Sequence, residues 1–541
     1  MFNMEKTILK NARLFTSSPE SGGLHRGYIV LSQGLIQQIG SDEDDALDQA
    51  RAQGAREIDL KDSMITPGFI DGHVHFLAFG LGLGKLDVVT CRSFAEIRSK
   101  IMAYAQSHPS ACRVSVKGWV QASTGGKALA SMLDDLDPRP IYIEAMDQHS
   151  VWCNTAALRE LNVASMENPP GGTICRDEKG NASGLLMESA YHGIVMPFLV
   201  QSLTEDDKYE ALRCAVKAYS EAGYTGVVEM AMDKPQWECL RAYREHHELP
   251  LHIAAHWMIS YSDNDEDIQR QLDQAIAMHS QYHPSTSPRF CVNGIKVMVD
   301  GTVDGCTAAL SQPYGANPDP TEPIWSAAKL KKIIHLADAA GLQCAVHAIG
   351  DKAISQTIDA YASLENPTRR HRIEHLELAS AESAKRLGEL GIIASVQPVH
   401  SDPVFMAAWR DLIGVHRCKR AFAYREFHDS GARLAFGTDV PTAAHPPLPN
   451  LYHATTRRST IDPALSNRTN PEFAVSLATA VKAATTNVAF SRFAETWTGS
   501  LAVGMSADLV VLDGDWEPDR LLETKVRQTW YRGQKVFDAH P

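Results

Sequence analysis

Two histidines separated by a single residue lie in the segment FIDGHVHF, residues 69–76. Side chains alternate between the two faces of a strand, so Asp71, His73 and His75 are expected to point the same way. Two imidazoles on one strand face, about 7 Å apart by Cα, can converge on one metal ion. Taken alone, the pair favours two structural histidines in a core.

Other residues that bind metals or move protons stand at the ends of further apolar segments. His347 ends the predicted strand in QCAVHAIGD, His375 lies in HRIEHLE, and Asp439 ends ARLAFGTD. Each follows an apolar strand and precedes a turn or helix, which is where barrel enzymes keep their catalytic groups. Each of the three, taken separately, is also compatible with a structural role. Together with the two histidines of the first segment, they indicate a binding site.

A lysine lies on one further apolar segment, NGIKVMVDG, residues 293–301. Alternation places Ile295 and Val297 on one face and Lys296 on the other. The aliphatic face suits contact with surrounding helices, so Lys296 is expected to point into the interior. A buried lysine is costly unless it is neutralised or paired, and a salt bridge to Asp300 or another carboxylate is the alternative explanation.

These residues lie on five of eight apolar segments. The eight segments alternate with helix-like segments that carry apolar residues at three- and four-residue spacing. Strands that alternate with helices pair in parallel, and eight strands close a TIM-type (β/α)8 barrel, so the predicted class is α/β. A doubly wound open sheet is the alternative, but no GxGxxG motif supports it. The predicted strands lie within residues 63–76, 223–230, 251–260, 293–301, 343–351, 371–377, 392–398 and 432–439.

Both ends of the chain have the texture of short strands and turns. They predict a small β-sandwich built from residues 1–66 and 495–541, around a barrel domain at 67–494. A stretch at about 80–200 breaks the alternation and has strand candidates of its own. It is predicted to be a subdomain inserted after the first barrel strand. Because loops after barrel strands surround the active-site mouth, the insertion is expected to shape a substrate pocket.

Composition excludes several classes of partner. The formal net charge of −13 argues against nucleic acid and against an acidic membrane surface. No apolar run approaches the roughly 18 residues of a membrane span, and the first residues lack the pattern of a secretory signal. The 10 cysteines include no CxxC pair, which indicates reduced thiols and a cytoplasmic location.

The motifs PGFIDGHVH, IKVMVDGTVDG, HAIGD, RIEH and GTD, in this order, resemble the amidohydrolase superfamily. They are most similar to its amidohydrolase-3 branch, which includes YtcJ-like proteins and N-substituted formamide deformylase. The similarity continues in LDPRPIYIEAMDQHSVWCNTAAL and in GSLAVGMSADLVVLD, so it covers nearly the whole chain. It implies a metal-dependent hydrolase on a TIM-type barrel.

The resemblance also implies one or two divalent metal ions, with zinc expected and manganese or iron compatible with the same ligands. The two histidines of the first segment would hold the more buried ion with Asp439, and the two later histidines would hold the second ion. Lys296 matches a position that is carboxylated in relatives, and its N6-carboxylated form would bridge the ions. The six implied ligands are His73, His75, Lys296, His347, His375 and Asp439.

In this resemblance the ions would lower the pKa of water and polarise the scissile carbonyl. Asp439 would be the catalytic residue, acting as general base and then passing the proton to the leaving amine. His149 matches a histidine typical of the branch and is predicted to bind substrate, although a structural role is equally open. Trp119 is a candidate pocket wall or a core residue, and Asp300 either lines the pocket or shapes a turn.

The favoured reaction is hydrolysis of a C–N bond in a small molecule, such as an N-acyl or N-formyl amide. A lactone, ester or cyclic-amide hydrolase on the same site is the first alternative, and a regulatory protein that keeps the scaffold without turnover is the second. Fold does not choose among them. Relatives of this kind suggest a homodimer. Arg372 and Glu374 are expected to face helices or to pair with each other, and no role is assigned to His400.

Overall fold

The computed structural model describes residues 6–16, 24–41, 44–315, 321–365 and 369–540. Within these ranges the strands are β1 (Thr7–Phe15), β2 (Leu24–Ser32), β3 (Leu35–Gly40), β4 (Arg56–Asp59), β5 (Met64–Pro67), β6 (Phe69–Val74), β7 (Leu86–Asp87), β8 (Val114–Trp119), β9 (Ile141–Ala145), β10 (Ser150–Cys153), β11 (Gly172–Arg176), β12 (Ala182–Glu188), β13 (Tyr224–Met232), β14 (His252–Met258), β15 (Phe290–Met298), β16 (Gln343–Ala348), β17 (Arg372–His375), β18 (Ile393–Val396), β19 (Arg433–Phe436), β20 (Leu509–Asp513), β21 (Lys525–Tyr531) and β22 (Gln534–Asp538).

The α-helices of the same ranges are α1 (Asp45–Ala52), α2 (Phe76–Leu83), α3 (Phe94–Ser107), α4 (Thr155–Glu160), α5 (Met196–Gln201), α6 (Glu205–Glu221), α7 (Lys234–His246), α8 (Asp265–Gln281), α9 (Ala327–Ala339), α10 (Asp351–Ala362), α11 (Ala381–Glu389), α12 (Pro403–Ile413), α13 (Val415–Cys418), α14 (Tyr424–Asp429), α15 (Pro447–Thr456), α16 (Leu477–Ala483) and α17 (Thr486–Ser491). In this part of the chain, no helix combines the length and the apolar character that a membrane crossing requires.

Eight parallel strands form the barrel, in the order β19-β18-β17-β16-β15-β14-β13-β6. A parallel bridge between Val74 and Val440 brings the first strand beside the last. Each of the eight predicted apolar segments overlaps one of these strands, so the predicted TIM-type barrel is confirmed. The carboxyl ends of all eight strands consequently meet at one face of the molecule.

The outward-facing side chains of the barrel strands pack against the surrounding helices. On β15, Ile295 and Val297 are fully buried in the same apolar cluster as Leu330 and Ile333 of α9. Burying an aliphatic side chain of this size contributes about 1.5–3 kcal/mol. Lys296 lies between the two outward-facing residues, and this packing therefore turns it toward the barrel interior, as predicted.

The inside of the barrel is filled by a second, smaller apolar cluster. It combines inward-facing residues of several strands with Val488 and Ala489 of α17. The strand residues of this cluster are Ile70, Val228, Met230, Ala345, Ile393 and Ala435. Because α17 shares this cluster, the barrel is a packed core that supports the side chains at its open end.

Both ends of the chain contribute to one sheet, in the order β22-β21-β20-β5-β1-β2-β3, with β4 paired to β1. The C-terminal strand β20 pairs antiparallel with β5. The extra β-structure built from both termini is confirmed, and its strands follow one continuous hydrogen-bonded path. The boundaries at residues 66 and 495 stay a prediction, and residues 1–5 lie outside the described residues.

A six-stranded sheet, in the order β11-β12-β10-β9-β8-β7, lies between barrel strands β6 and β13 in the chain. It has an apolar core of its own, in which Trp119 packs against Trp152 with ring centroids 5.4 Å apart. The predicted subdomain after the first barrel strand is therefore confirmed, with a sheet and an apolar core of its own. Its β9-to-β10 connection and the end of β12 carry the residues that reach the barrel mouth.

One close approach between barrel strands gives a test of the register. Gly294 of β15 is paired with Gln343 of β16, and a Cβ added at Gly294 would lie 1.8 Å from the Gln343 carbonyl oxygen. Gly294→Ala is therefore expected to lower the free energy of unfolding by roughly 1–3 kcal/mol, as overpacking does. Gly193→Ala is the matched control, since a Cβ there meets no atom within 4 Å. Equal melting temperatures for the two variants would contradict this strand pairing.

Candidate metal centre

Three histidines surround the carboxylate of Asp439 at the carboxyl ends of the barrel strands. Its Oδ1 lies 3.2 Å from Nε2 of His73 and 3.2 Å from Nε2 of His75, at the end of β6. Its Oδ2 lies 3.9 Å from Nδ1 of His375, at the end of β17. The structure thus brings together four of the six predicted ligands around one acidic group.

The other two predicted ligands lie next to this group. The ring of His347 is 4.3 Å from that of His375, centroid to centroid. Lys296 is 2% exposed, and burial lowers its pKa to about 8. Its positive charge also contributes to lowering the pKa of His75, after burial and the charge of His73. An amine with such a pKa is partly neutral near physiological pH, and the neutral amine is the form that reacts with CO₂.

The donor set fits a divalent cation. Nδ1 of His73 lies 2.7 Å from a carboxylate oxygen of Glu374, so Nδ1 carries the hydrogen and Nε2 presents a lone pair to Asp439. Asp439 Oδ1 is buried and accepts no hydrogen bond. An anionic oxygen and a ring lone pair 3.2 Å apart repel each other unless a cation lies between them. Histidine that is oriented by a carboxylate is typical of metal ligands.

Glu374 is a residue whose role the sequence does not reveal. Arg372 donates to Glu374 at 2.8 Å, as the predicted pairing requires, and also to the carbonyl of Gly72 on β6 at 2.7 Å. The pair therefore lies inside the barrel and does not face the outer helices. The alternation fails because His375 has φ of +77°, which turns the chain out of the strand there. Burial opposes the charge of Glu374, but Arg372 and His73 lower its pKa well below the usual value.

Asp71 connects the first barrel strand to the last. Its carboxylate accepts from the Thr438 backbone at 2.9 Å, the Thr438 hydroxyl at 2.6 Å and the Tyr219 hydroxyl at 2.8 Å. Burial raises the pKa of Asp71 to about 6. Because Thr438 directly precedes Asp439, these bonds fix the position of the central carboxylate relative to the two histidines of β6.

Asp300 has a structural role in the barrel, and its predicted contact with substrate stays a prediction. It is fully buried, and its carboxylate accepts from the backbone N–H groups of Ile349 at 3.0 Å, Gly350 at 2.8 Å and Ala309 at 2.9 Å. Its Oδ1 also lies 3.6 Å from Nε2 of His347. Among the ion pairs of the described residues there is none between Asp300 and Lys296. Asp300 therefore holds the loop after β16 and helps to orient His347.

His149 reaches the site from the inserted subdomain, and its role in substrate binding stays a prediction. Its ring lies 5.3 Å from that of His347, and its Nδ1 lies 2.6 Å from a carboxylate oxygen of Glu188. Burial works against its charge, but Glu188 raises the pKa of His149 to about 9. The insertion thus places an imidazole with a strong N–H donor beside the metal ligands.

Trp119 lies in the apolar core of the inserted sheet and is 1% exposed. Its packing is that of a core residue, and its role as a pocket wall stays a prediction. By contrast, His192 borders His149 with ring centroids 5.5 Å apart, and its Nε2 is buried without a hydrogen bond. His192 lies within a π-helical turn, Tyr191–Val195, and such turns are common at functional sites. No sequence motif marks this residue.

His400 is a further residue that the sequence analysis left without a role. It lies on the turn after β18, with its ring parallel to that of His375 and the centroids 6.1 Å apart. Its Nδ1 lies 3.3 Å from a carboxylate oxygen of Glu377. The sequence did contain a signal for His400, because it follows the seventh barrel strand. Residues that follow barrel strands lie at the face that carries the other predicted ligands.

Comparisons with known proteins agree with this arrangement. A model described as Amidohydrolase family, of the amidohydrolase-3 branch, matches residues 56–537. Protein LONG AFTER FAR-RED 3 of Arabidopsis thaliana is 27% identical over 98% of this chain and 91% of its own length. N-substituted formamide deformylase of Arthrobacter pascens is 23% identical over 93% of this chain and 94% of its own length.

Solved structures give the same fold. An uncharacterised metal-dependent hydrolase from Pyrococcus furiosus superposes with a TM-score of 0.72 and 24% identity, over 94% of this chain and 99% of that one. The family model covers most of the sequence, and it includes every residue of the cluster around Asp439. The chain belongs to the amidohydrolase family.

Proposed function

We propose that the protein is a metal-dependent hydrolase that cleaves the C–N bond of a small N-acyl or N-formyl amide. The observation that carries this proposal is the buried Oδ1 of Asp439, which lacks a hydrogen bond and lies 3.2 Å from a ring nitrogen of each of His73 and His75. A divalent cation between these atoms satisfies all three. Imidazole and carboxylate ligands suit zinc, and also manganese or iron.

The ligand set divides between two positions. His73, His75 and Asp439 would hold the more buried ion. His347 and His375 would hold a second ion, which gives one or two ions according to occupancy. The resemblance implies this division, and two observations support it: Nε2 of His73 and Nε2 of His75 each lie 3.2 Å from Oδ1 of Asp439, and the rings of His347 and His375 lie 4.3 Å apart.

Lys296 would hold both ions in its N6-carboxylated form. The neutral amine forms an N–C bond to CO₂ and loses one proton, which gives an anionic carbamate with two oxygens. Two features support this chemistry: the lysine is 2% exposed, and its pKa of about 8 leaves part of it neutral. The bridging carbamate also replaces a buried positive charge by a negative one beside the cations, which removes the cost of leaving that lysine unpaired.

A bound ion supplies a water of lowered pKa and polarises the scissile carbonyl. Asp439 takes the proton of the attacking water and returns it to the leaving nitrogen, so that the amine departs neutral. Burial opposes the charge of Asp439, but its contacts with His73, His75 and His375 keep its pKa well below the usual value, so that it is ionised and can accept a proton. His149, held by Glu188, donates an N–H toward the carbonyl oxygen, on which negative charge develops.

The choice of an amide rests on the leaving group and on one relative. An amine leaving group requires protonation, and Asp439 is positioned to carry a proton from water to that nitrogen. The Arthrobacter relative bears the name N-substituted formamide deformylase, which favours a substrate of that kind. Lactones, esters and cyclic amides use the same attacking water and remain the second candidates for this site.

The reaction is tested by turnover of a panel with and without a chelator. The panel contains N-formyl amines, N-acyl amines, N-acyl amino acids, cyclic amides, lactones and simple esters. Metal-loaded enzyme is expected to release an amine from an open-chain amide, and the chelator should abolish the release. Hydrolysis of lactones or esters alone, with no amine released, would contradict the proposed bond class.

The same assay tests the role of Asp439. Asp439→Asn is expected to lower kcat by about 10²–10⁴-fold, because the amide cannot take the proton of water. Asp429→Asn is the matched control, since Asp429 lies exposed on α14. Turnover of Asp439→Asn within a few-fold of the control would show that another group is the base.

The proposed orientation of His73 is tested through Glu374. Glu374→Gln keeps the shape of the side chain but removes the charge that holds Nδ1–H, so metal affinity is expected to fall by about 10–100-fold. Competition with a chromogenic chelator measures the affinity on protein whose fold is verified by circular dichroism. Glu382→Gln, on the exposed side of α11, is the control. Equal affinities for both variants would rule out Glu374 as the group that positions the ligand.

A further inference from the structure

Three residues form a second group at the carboxyl ends of β17 and β18, which we name the Glu377 cluster: His375, Glu377 and His400. One ring nitrogen of each histidine and one carboxylate oxygen lie within 4.8 Å of one another. His375 and Leu376 both have positive φ, +77° and +54°. The chain therefore leaves the regular strand at these two residues, and Glu377 lies in the same group as His375.

Hydrogen-bond directions fix the tautomer of His400. The hydroxyl of Thr442 donates its single hydrogen to the carbonyl oxygen of Asp439 at 2.6 Å. Its oxygen, 3.0 Å from Nε2 of His400, can therefore only accept, and Nε2 carries the hydrogen. Nδ1 of His400 is left facing Oε1 of Glu377 at 3.3 Å. A ring lone pair and a carboxylate oxygen at this distance require a positive species between them, either a proton or a metal ion.

The side chains around His400 and Glu377 include further negative charge. Glu377 is 6% exposed, and Nε2 of His400 lies 3.9 Å from Oδ2 of Asp439. The carboxylates of Glu377 and Asp439 therefore both lie within 4 Å of the His400 ring, one beside each of its nitrogens. Such a concentration of negative charge attracts a divalent ion.

The ligand types suit a transition metal. With bonds of about 2.1 Å, neighbouring ligand atoms in a tetrahedral site lie about 3.4 Å apart. The pair of Glu377 and His400 already has this spacing, at 3.3 Å. His375 Nδ1 lies 2.9 Å from Oε1 of Gln397, which orients its ring. Two imidazoles and one carboxylate form the open three-ligand set in which a fourth position is left for water.

We propose that His375, Glu377 and His400 bind a further divalent transition-metal ion beside the centre built around Asp439. His375 belongs to both groups, so an ion in the Glu377 cluster competes for this ring with the second ion of the main centre. The main centre keeps its buried ion on the histidines of β6 and Asp439. The proposal concerns metal binding and holds whichever bond the enzyme cleaves.

The test counts ions in full-length protein that has been stripped with a chelator and titrated with Co²⁺. Mass spectrometry of the metal and the visible absorption of Co²⁺ give the number of ions and their binding curves. Glu377→Gln and His400→Phe are each expected to remove about one ion per chain, or to lower the affinity for that ion at least about tenfold. His73→Asn should retain this ion while it loses the buried ion of the main centre.

Glu382→Gln and His428→Phe are the matched controls, since both residues are exposed on helices away from the cluster. They should bind Co²⁺ as the wild type does. If Glu377→Gln and His400→Phe also give the wild-type curve, the pair shares a proton and the proposal is wrong. Loss of turnover has no bearing on this count, so failure of the proposed hydrolysis and failure of this metal site are separate results.

Discussion

The structure depends on a carboxylate that is buried among imidazole rings. Asp439 lies within 4 Å of ring nitrogens of His73, His75 and His375, and its Oδ1 receives no hydrogen bond. Burying such a charge costs several kcal/mol unless a cation or a set of donors compensates it. Eight parallel strands make the arrangement possible, because their carboxyl ends converge on one face. The packed interior and α17 hold those ends in place.

Around this carboxylate, a layer of buried polar residues fixes each ligand. Glu374 determines which nitrogen of His73 carries the hydrogen, and Asp71 ties Thr438 to β6. Asp300 holds the loop that follows His347. The inserted subdomain adds His149 from outside the barrel. Folding and the geometry of the candidate site are therefore coupled, because the same hydrogen bonds that close the barrel also orient the groups that would bind metal.

Much of this could be predicted from the sequence, and the remainder has identifiable reasons. The alternation of eight apolar segments with helix-like segments predicted the barrel, and the alternation of side chains along one strand placed Lys296 inside it. Alternation failed at Arg372 and Glu374, because the positive φ of His375 ends the regular strand. The sequence left two roles open for Asp300, a turn or a pocket contact. Its three hydrogen bonds to backbone N–H groups come mainly from residues far along the chain, and spacing gives no signal for them. His192 lies on a π-helical turn, for which spacing gives no signal, whereas His400 follows the same positional rule as the predicted ligands.

The most direct test is a crystal structure of the zinc-loaded protein, with anomalous diffraction measured at the zinc edge. We expect an anomalous peak about 2.0–2.2 Å from Nε2 of His73, Nε2 of His75 and a carboxylate oxygen of Asp439. We also expect density for a carboxylate group on Nζ of Lys296. An anomalous peak that avoids these three residues, or none in crystals whose zinc content is verified, would contradict the central claim.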